Sequence, residues 1–154
     1  MHTPTKAQFQ VVIDNLTKML PFAQSEENLD MEEGVVPEKP TCGTTCCVAG
    51  WYTLAKDIES FSFRVGTYAI AKDLGFDPHY GDLEKWVHNN HELWGNEHGS
   101  GIFCETEAYS SPTRPKGAKT LADVVDHLKE VQARLPKNAQ YPDVKSKQAN
   151  DVPF

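Results

Sequence analysis

The segment that decides the fold is ten residues long and holds three of the chain's four cysteines. It runs Cys42-Gly43-Thr44-Thr45-Cys46-Cys47-Val48-Ala49-Gly50-Trp51. Cysteine is often buried in protein cores, where it behaves as a small apolar residue. A Cys-Gly-Thr sequence can form a tight turn in which Gly43 takes a left-handed backbone angle. Thr44 or Thr45 then caps a helix, so the leading interpretation of the segment is structural.

The second helix is predicted over residues 41–59, with this unusual segment at its start. Its apolar stripe recurs at helical spacing and consists of Cys47, Trp51, Leu54, Ala55 and Ile58. Gly50 lies inside the stripe, where glycine costs about 1 kcal/mol relative to alanine. This cost indicates that another backbone approaches closely at Gly50, beside Ala49. Trp51 is expected to fill the core.

The first helix is predicted at the N-terminal end of the chain. Pro4 suits a first-turn position, and Thr3 or Thr5 can act as the cap. The apolar stripe comprises Phe9, Val12, Ile13, Leu16 and Leu20. We expect Pro21 to end this helix, because proline lacks the N–H that a helix interior requires. Residues 22–41 then form a long acidic connection.

Two further helices are predicted in the middle of the chain. The third spans residues 63–74, and Gly75 is well placed to end it in a left-handed conformation. The fourth begins with Asp77 as its cap and Pro78 in its first turn, and its apolar positions are Leu83, Trp86, Val87, Leu93 and Trp94. Gly95 is expected to end it. Residues 95–119 show no helical period.

The last helix is predicted after Thr120, which can cap it with Asp123 at the third helical position. Its apolar stripe contains Leu121, Val124, Val125, Leu128, Val131 and Leu135. Together these segments predict a mainly α fold, a compact bundle of about five helices with long irregular connections and a small β element near residues 101–105. We assign residues 1–136 to a single globular domain and residues 137–154 to a loosely attached polar tail.

Composition limits the classes of partner. The chain has 154 residues, with 15 Lys and Arg against 22 Asp and Glu, and a net charge of −7. Broad nucleic-acid surfaces concentrate positive charge, so this class is disfavoured. No apolar run approaches the roughly 18 residues that suggest a membrane span, and the N-terminus lacks a signal sequence. The expected compartment is the cytoplasm, where cysteines are usually reduced, metal-bound or reactive.

The cysteine segment resembles a family of small uncharacterised bacteriophage and bacterial proteins, whose pattern is Cys-Gly-Thr-x-x-Cys-x-Ala-Gly followed by Trp or His. The matching positions are Cys42, Gly43, Thr44, Cys47, Ala49, Gly50 and Trp51. The resemblance extends upstream to residues 29–31 and downstream to residues 71–76, and it has no clear counterpart beyond residue 95. It implies a phage or prophage origin and action in the host cytoplasm on a host or virion protein. It implies no established activity.

A second hypothesis is a thiol-dependent enzyme with Cys47 as the nucleophile. A cysteine in the first turn of a helix meets backbone N–H groups and the positive end of the helix dipole, and both favour the thiolate. A histidine would act as base and an asparagine would orient it. The sequence offers His88, His91, His98, Asn89, Asn90 and Asn96. The papain-like signature is not met, because no Cys-Trp pair occurs.

A third hypothesis is a zinc-stabilised binding module. Zinc in structural sites takes four Cys or His ligands, and the candidates are Cys42, Cys47 (or Cys46 in its place), Cys104 and His98. His88 and His91 also share a helical face, which permits a metal pair. The spacing from Cys42 to Cys47 is longer than that of a common zinc knuckle. The leading expectation is therefore that the protein holds no cofactor.

The histidine-rich region has two interpretations. In the leading one, the fourth helix turns Trp86 and Trp94 inward and its histidines outward. In the other, the tryptophans and histidines line a small-ligand site with Phe103. The chain has no phosphate loop, dinucleotide fingerprint or His-Glu-x-x-His sequence. The leading function is accordingly a non-catalytic interaction protein whose partner is another protein.

Overall fold

The computed structural model describes residues 2–30, 36–59, 63–76, 80–94 and 119–136. In these residues the α-helices are α1 (Lys6–Thr17), α2 (Val48–Ala55), α3 (Phe63–Asp73), α4 (Tyr80–Asn89), α5 (His91–Trp94) and α6 (Leu121–Arg134). Two short 3-10 helices follow α1, at Leu20–Phe22 and Glu26–Asn28. The prediction of a mainly α fold is therefore confirmed. Helix α2 packs mainly against α3, and α1 packs mainly against α6.

Several predicted features lie outside the described residues. These are the β element at residues 101–105, the tail at residues 137–154 and the helix stop at Gly95. Within the described ranges no strand forms, and the extended contact is an isolated parallel bridge between Leu29 and Cys46. In the same part of the chain, no helix combines the length and the apolar character that a membrane span requires.

Helix α1 begins at Lys6, after Thr5, which is one of the two caps that the sequence offers. Thr5 is the cap, and its hydroxyl accepts a hydrogen bond from the Gln8 N–H at 3.0 Å, while the Gln8 side chain accepts one from the Thr5 N–H at 2.9 Å. Pro4 is buried just before this capping box instead of lying in the first turn. The helix ends at Thr17, and Pro21 stands in the following 3-10 helix.

The predicted fourth helix is divided into α4 and α5 at Asn90. The Asn90 side chain donates to the carbonyl oxygen of Trp86 at 2.7 Å, and its backbone N–H donates to Val87 instead, at 3.2 Å. In a continuous α-helix the backbone N–H of Asn90 would donate to the carbonyl oxygen of Trp86, four residues earlier. Here the Asn90 side chain occupies that carbonyl oxygen instead. This local competition accounts for the additional helix relative to the five that were predicted.

The N-terminal cap of α6 and the C-terminal end of α3 are as the sequence predicts. Thr120 accepts a hydrogen bond from the Asp123 N–H, and the Asp123 carboxylate accepts from the N–H groups of Lys119 and Thr120. These backbone donors hold the pKa of Asp123 below its usual value. Gly75 has a φ of 90°, and the N–H of Phe76 reaches back to Ala71 at 2.9 Å. That pattern is typical of a left-handed helix end, so both predictions are confirmed.

Helices α2 and α3 cross at a point where their backbones nearly touch. A Cβ at Gly66 would lie 1.9 Å from the carbonyl oxygen of Ala49 and 2.5 Å from the hydroxyl of Thr53. Gly50 instead makes room for a side chain, since a Cβ there would lie 2.9 Å from the Cβ of Cys46. The prediction that a backbone approaches Gly50 is therefore wrong. The close backbone contact belongs to its neighbour Ala49.

An aromatic cluster joins α1, α4, α5 and α6 in the core. It contains Phe9, Phe76, Trp86 and Trp94, and His127 of α6 lies against its edge. Neighbouring ring centroids are 5.8 to 6.1 Å apart, and Trp86 meets Trp94 edge to face at an interplanar angle of 81°. Such offset pairs add a favourable term to the burial of the rings. Both tryptophans point inward, as the leading interpretation of the histidine-rich region predicts.

A polar chain fixes α2 between α1 and α3. Tyr52 is fully buried, and its hydroxyl accepts a hydrogen bond from the Asn15 amide at 3.0 Å and donates to the Asp73 carboxylate at 2.5 Å. The Lys56 ammonium lies 3.0 Å from the same carboxylate oxygen. Burial, and then the hydrogen bond to Asp73, raise the pKa of Tyr52 well above its usual value. The buried phenol is therefore held in its neutral form.

We expect Gly66→Ala to destabilise the protein by about 1–3 kcal/mol, because the added methyl group overpacks the crossing of α2 and α3. In an open helix the same change would stabilise by about 1 kcal/mol. Urea unfolding measures the difference. The matched control is Gly43→Ala, where the nearest atom to a new Cβ is 3.8 Å away, and it should change stability by less than about 0.5 kcal/mol. A stabilised Gly66→Ala variant would contradict the close contact.

The raised pKa of Tyr52 predicts a loss of stability in alkali. The phenol binds its proton more tightly in the folded chain than in the unfolded chain, where tyrosine titrates near about 10. Its contribution is thus present below about pH 10 and declines as the pH rises further, at up to about 1.4 kcal/mol per pH unit. For Tyr52→Phe, the free energy of unfolding should lack this part of the decline with pH. A Phe substitution at the half-exposed Tyr68 should retain the decline. Equal slopes for Tyr52→Phe and the parent protein would refute the assignment.

Candidate functional site

The cysteine segment is held against the preceding chain by one buried side chain. Asn28 is 4% exposed, and its Nδ2 donates to the carbonyl oxygens of Cys42 at 2.9 Å and Thr44 at 2.8 Å. Its side-chain oxygen accepts from the Ser25 N–H at 3.0 Å. Both ends of the amide are therefore committed to backbone groups of the two segments that it joins.

The backbone of Asn28 also binds the cysteine segment and the start of α2. Its carbonyl oxygen accepts from the Cys46 N–H at 3.3 Å and from the indole N–H of Trp51 at 2.8 Å. The Asp30 N–H then donates to the carbonyl of Cys46 at 3.2 Å, which completes the bridge around Leu29. Trp51 is fully buried, so its polar atom is satisfied inside the core. The prediction that Trp51 fills the core is confirmed.

The turn before α2 differs from the sequence prediction. The Thr44 N–H donates to the Thr41 carbonyl at 3.0 Å, and the Thr41 N–H donates to the Thr44 hydroxyl at 2.9 Å. This four-residue turn needs no left-handed residue, and Gly43 does not have the positive φ that was predicted. Neither threonine caps α2, because the Thr44 hydroxyl serves the turn and that of Thr45 donates to Glu27. The N-cap position belongs to Cys47.

The three cysteines of the segment occupy three different environments. Cys42 is an exposed free thiol in the turn. Cys46 is fully buried, and its sulfur lies 3.0 Å from where a Cβ at Gly50 would stand. Cys47 is fully buried at the start of α2 and is held in a disulfide. Cys104, the fourth cysteine, lies outside the described residues.

These environments bear on the two chemical hypotheses. A nucleophilic cysteine acts as a thiolate, so Cys47 in its disulfide form is not a nucleophile. His88 is exposed on α4, whereas the side chains of His91, His98 and Asn96 lie outside the described residues. Thiol chemistry at Cys47 with His88 or His91 stays a prediction of the sequence.

The zinc hypothesis is equally untested. Two of its candidate ligands, Cys104 and His98, lie outside the described residues. Within the described ranges, no group of three or more His, Cys, Asp or Glu side chains is placed to hold a metal ion. Zinc requires deprotonated cysteine ligands, and Cys47 is held in a disulfide. Cys42 would therefore need ligands other than Cys47.

A polar groove lies where the N-terminal segment meets the ends of α4, α5 and α6. Its volume is about 360 Å³, and its lining residues are Thr3, Asn89, Asn90, Glu92, Leu93, Arg134 and Pro136. Ligand sites usually have volumes of about 300–1,000 Å³, so this groove suits a small ligand or a short segment of chain. The sequence singled out Asn89 and Asn90 only as orienting groups for a histidine.

Two contacts within the protein orient Arg134 in the groove. Its Nη1 donates to the carbonyl oxygen of Leu93 at 2.6 Å, at the end of α5, and its Nη2 lies 3.7 Å from the Glu130 carboxylate. The side chain is still 46% exposed. A guanidinium has five N–H donors, so these contacts orient the group without using all of its donors. In the sequence, Arg134 is an ordinary basic residue in the last turn of a helix, and nothing marks it as a site residue.

A second depression, of about 480 Å³, lies beside the 3-10 helix that follows α1. Its lining is mostly apolar and consists of Thr17, Leu20, Pro21, Ala23, Gln24 and Ala122. It has no charged side chain in its lining. The polar groove is therefore the better candidate for specific recognition, because convergent polar groups fix the orientation of a ligand.

The chain matches no protein-family model, no curated protein and no solved structure. A function for the groove is therefore inferred from the residues that line it. The resemblance of the cysteine segment to phage and bacterial proteins stays a prediction.

We expect Asn28→Ala to destabilise the protein by about 3 kcal/mol, because it leaves the carbonyl of the buried Thr44 and the carbonyl of Cys42 without their donor. Asn28→Asp should be similarly harmful, since a carboxylate cannot donate to the carbonyl oxygens of Cys42 and Thr44. The control is Asn89→Ala, at an exposed position of α4, with an expected change within about 0.5 kcal/mol. Urea unfolding tests all three variants. An Asn28→Ala variant as stable as the control would show that the clamp is dispensable.

Proposed function

We propose that the protein is a non-catalytic binding protein that holds a short, extended, polar segment of a partner protein in the groove between α5 and α6. The single observation that carries the proposal is the fixed guanidinium of Arg134 beside the exposed Asn89, within a groove built from several elements. The resemblance of the cysteine segment to phage and bacterial proteins supports a phage or prophage origin. It also supports a host or virion protein as the partner.

The lining chemistry supports a peptide. An asparagine amide carries both a donor and an acceptor, and Asn89 and Asn90 can therefore pair with the alternating N–H and C=O groups of an extended chain. Arg134 supplies the positive group, which favours an acidic side chain or a terminal carboxylate on the bound segment. Glu92, also in the lining, disfavours a second negative charge. The expected partner segment thus carries one carboxylate among neutral polar residues.

The cysteine segment supports the same conclusion from another direction. Its hydrogen bonds join the turn, the bridge to Leu29 and the start of α2 into one unit. The sulfur of Cys46 fills space beside Gly50, and that of Cys47 is in a disulfide. Every residue of this unit that the structure describes thus has a contact or hydrogen bond that serves the fold, which supports a structural role for the segment. Binding at a separate groove requires no chemistry from it.

Selection from a random peptide display library tests the proposal with the full chain as bait and the Arg134→Ala variant for counter-selection. We expect enriched peptides to share one acidic residue or to end in a free carboxylate. By calorimetry they should bind Arg134→Ala about 10–100-fold more weakly than the parent, because a hydrogen bond to a charged group is worth about 1.5–3 kcal/mol. Asn89→Ala should weaken binding several-fold.

The matched control is Lys129→Ala, which removes an exposed positive charge from α6 outside the groove lining. It should leave affinity within twofold of the parent. Circular dichroism and thermal melting first establish that Arg134→Ala is folded, since Arg134 also bonds to Leu93. Peptides that bind the groove variants and the parent equally, or a library that gives no binders, would refute the proposal.

A further inference from the structure

Residues 2–5, which precede α1, form a segment that we call the N-terminal strap. His2 attaches one end of the strap to the C-terminal end of α3, because its Nε2 donates to the carbonyl oxygen of Leu74 at 2.8 Å. Nε2 is the donor, since a carbonyl oxygen can only accept. The imidazole also meets the ring of Phe76 edge to face, with centroids 5.1 Å apart. One end of the strap is therefore held by a hydrogen bond and an aromatic contact.

The position of His2 also depends on Gly75, the residue that ends α3. A Cβ at Gly75 would lie 2.4 Å from the His2 Nε2. Any other residue at this position would therefore occupy the space that the imidazole fills. Gly75 thus serves both as the left-handed end of α3 and as the seat of the strap.

The other end of the strap is attached through the start of α1. The side chain of Gln132, on α6, donates to the carbonyl oxygen of Lys6 at 2.8 Å. Between the two attachments, Pro4 is buried and Thr5 is 5% exposed. The strap is thus fixed on both sides of Thr3, by α3 before it and by α6 after it.

Thr3, which lines the polar groove, has unused hydrogen-bonding groups. Among the residues that the structure describes, none forms a hydrogen bond with its N–H, carbonyl or hydroxyl group. The following Pro4 disfavours helical backbone at Thr3 and favours an extended conformation. The N–H and C=O of an extended residue can both pair with one residue of a neighbouring extended chain. Thr3 is therefore suited to bind a peptide through its backbone.

We propose that Thr3 binds the peptide in the polar groove through its backbone N–H and C=O, and that His2 is the residue that positions Thr3. The inference rests on the proposed function, because it names a contact by which the same groove holds an extended segment. Every peptide carries the same backbone groups, so pairing with Thr3 adds affinity without sequence preference. Selection of the carboxylate stays with Arg134.

The first test removes the backbone donor of Thr3. The probe is the tightest peptide from the display library, and calorimetry measures its affinity for variants of the full chain. Thr3→Pro lacks the N–H but can keep an extended backbone. It should bind about 5–50-fold more weakly than the parent, because a carbonyl group of the peptide loses its donor. The matched control Thr3→Ala keeps the N–H, and its affinity should stay within about twofold of the parent.

The second test releases the strap from α3. His2→Ala removes the contacts with Leu74 and Phe76, and it should weaken binding about 2–10-fold, because the strap must then be ordered when the peptide binds. His2→Gln offers a side-chain N–H to the same carbonyl oxygen and should recover most of the affinity. Thermal melting first establishes that both variants are folded. An equal loss in the two variants, or no loss in His2→Ala, would overturn the positioning role.

Hydrogen exchange measured by NMR on the parent protein gives a readout that needs no substitution to fold. The Thr3 amide should exchange more slowly once the peptide is bound, because its N–H is then hydrogen-bonded. The decisive peptides are those that Arg134→Ala weakens. If they leave the Thr3 exchange rate unchanged, or bind Thr3→Pro as tightly as the parent, this inference fails and the proposed function stands. Peptides that bind Arg134→Ala as tightly as the parent would refute both.

Discussion

Hydrogen bonding by Asn28 is the constraint on which the central part of the molecule depends. The turn at Cys42 and Thr44 has no helix or sheet to satisfy its carbonyl groups, and the Asn28 amide supplies the missing donors inside the protein. The carbonyl of the same residue receives the indole N–H of Trp51. An unpaired buried polar group costs about 1–3 kcal/mol, so Asn28 decides whether the carbonyl of the buried Thr44 can be removed from water. Helix α2 can start at Val48 because the chain before it is held in place.

Close packing then transmits that placement to the rest of the fold. Gly66 allows α3 to approach the backbone of α2 at Ala49, and Tyr52 ties α2 to both α1 and α3 through Asn15 and Asp73. Helices that touch this closely leave little freedom to slide, because protein interiors are packed to crystal-like density. The small residues of the cysteine segment thus meet steric and hydrogen-bonding requirements of the fold.

The groove has a different origin. No single element forms it: the break at Asn90 separates α4 from α5, and Arg134 of α6 then bonds to the end of α5 at Leu93. The guanidinium thereby closes a contact between helices and presents its remaining surface to solvent. Arg134 therefore serves both the packing of the helices and the proposed binding. For this reason, the Arg134 variant is compared with variants at Asn89 and Lys129.

The sequence by itself determined the mainly α fold class, the apolar faces of the helices, the cap at Thr120 and the stop at Gly75, because periodicity, caps and left-handed glycines are local properties of a chain. It also indicated that Trp51 and Trp86 lie in the core. Only the tertiary structure decided the roles of Asn28, Gly66 and Arg134. Their partners are distant in sequence or on other helices, and no local pattern records which carbonyl a buried amide reaches or which helix lies against a glycine. For the same reason the turn at Gly43 was mispredicted: its conformation is set by Thr41, Thr44 and the Asn28 clamp, and the preference of glycine itself is secondary.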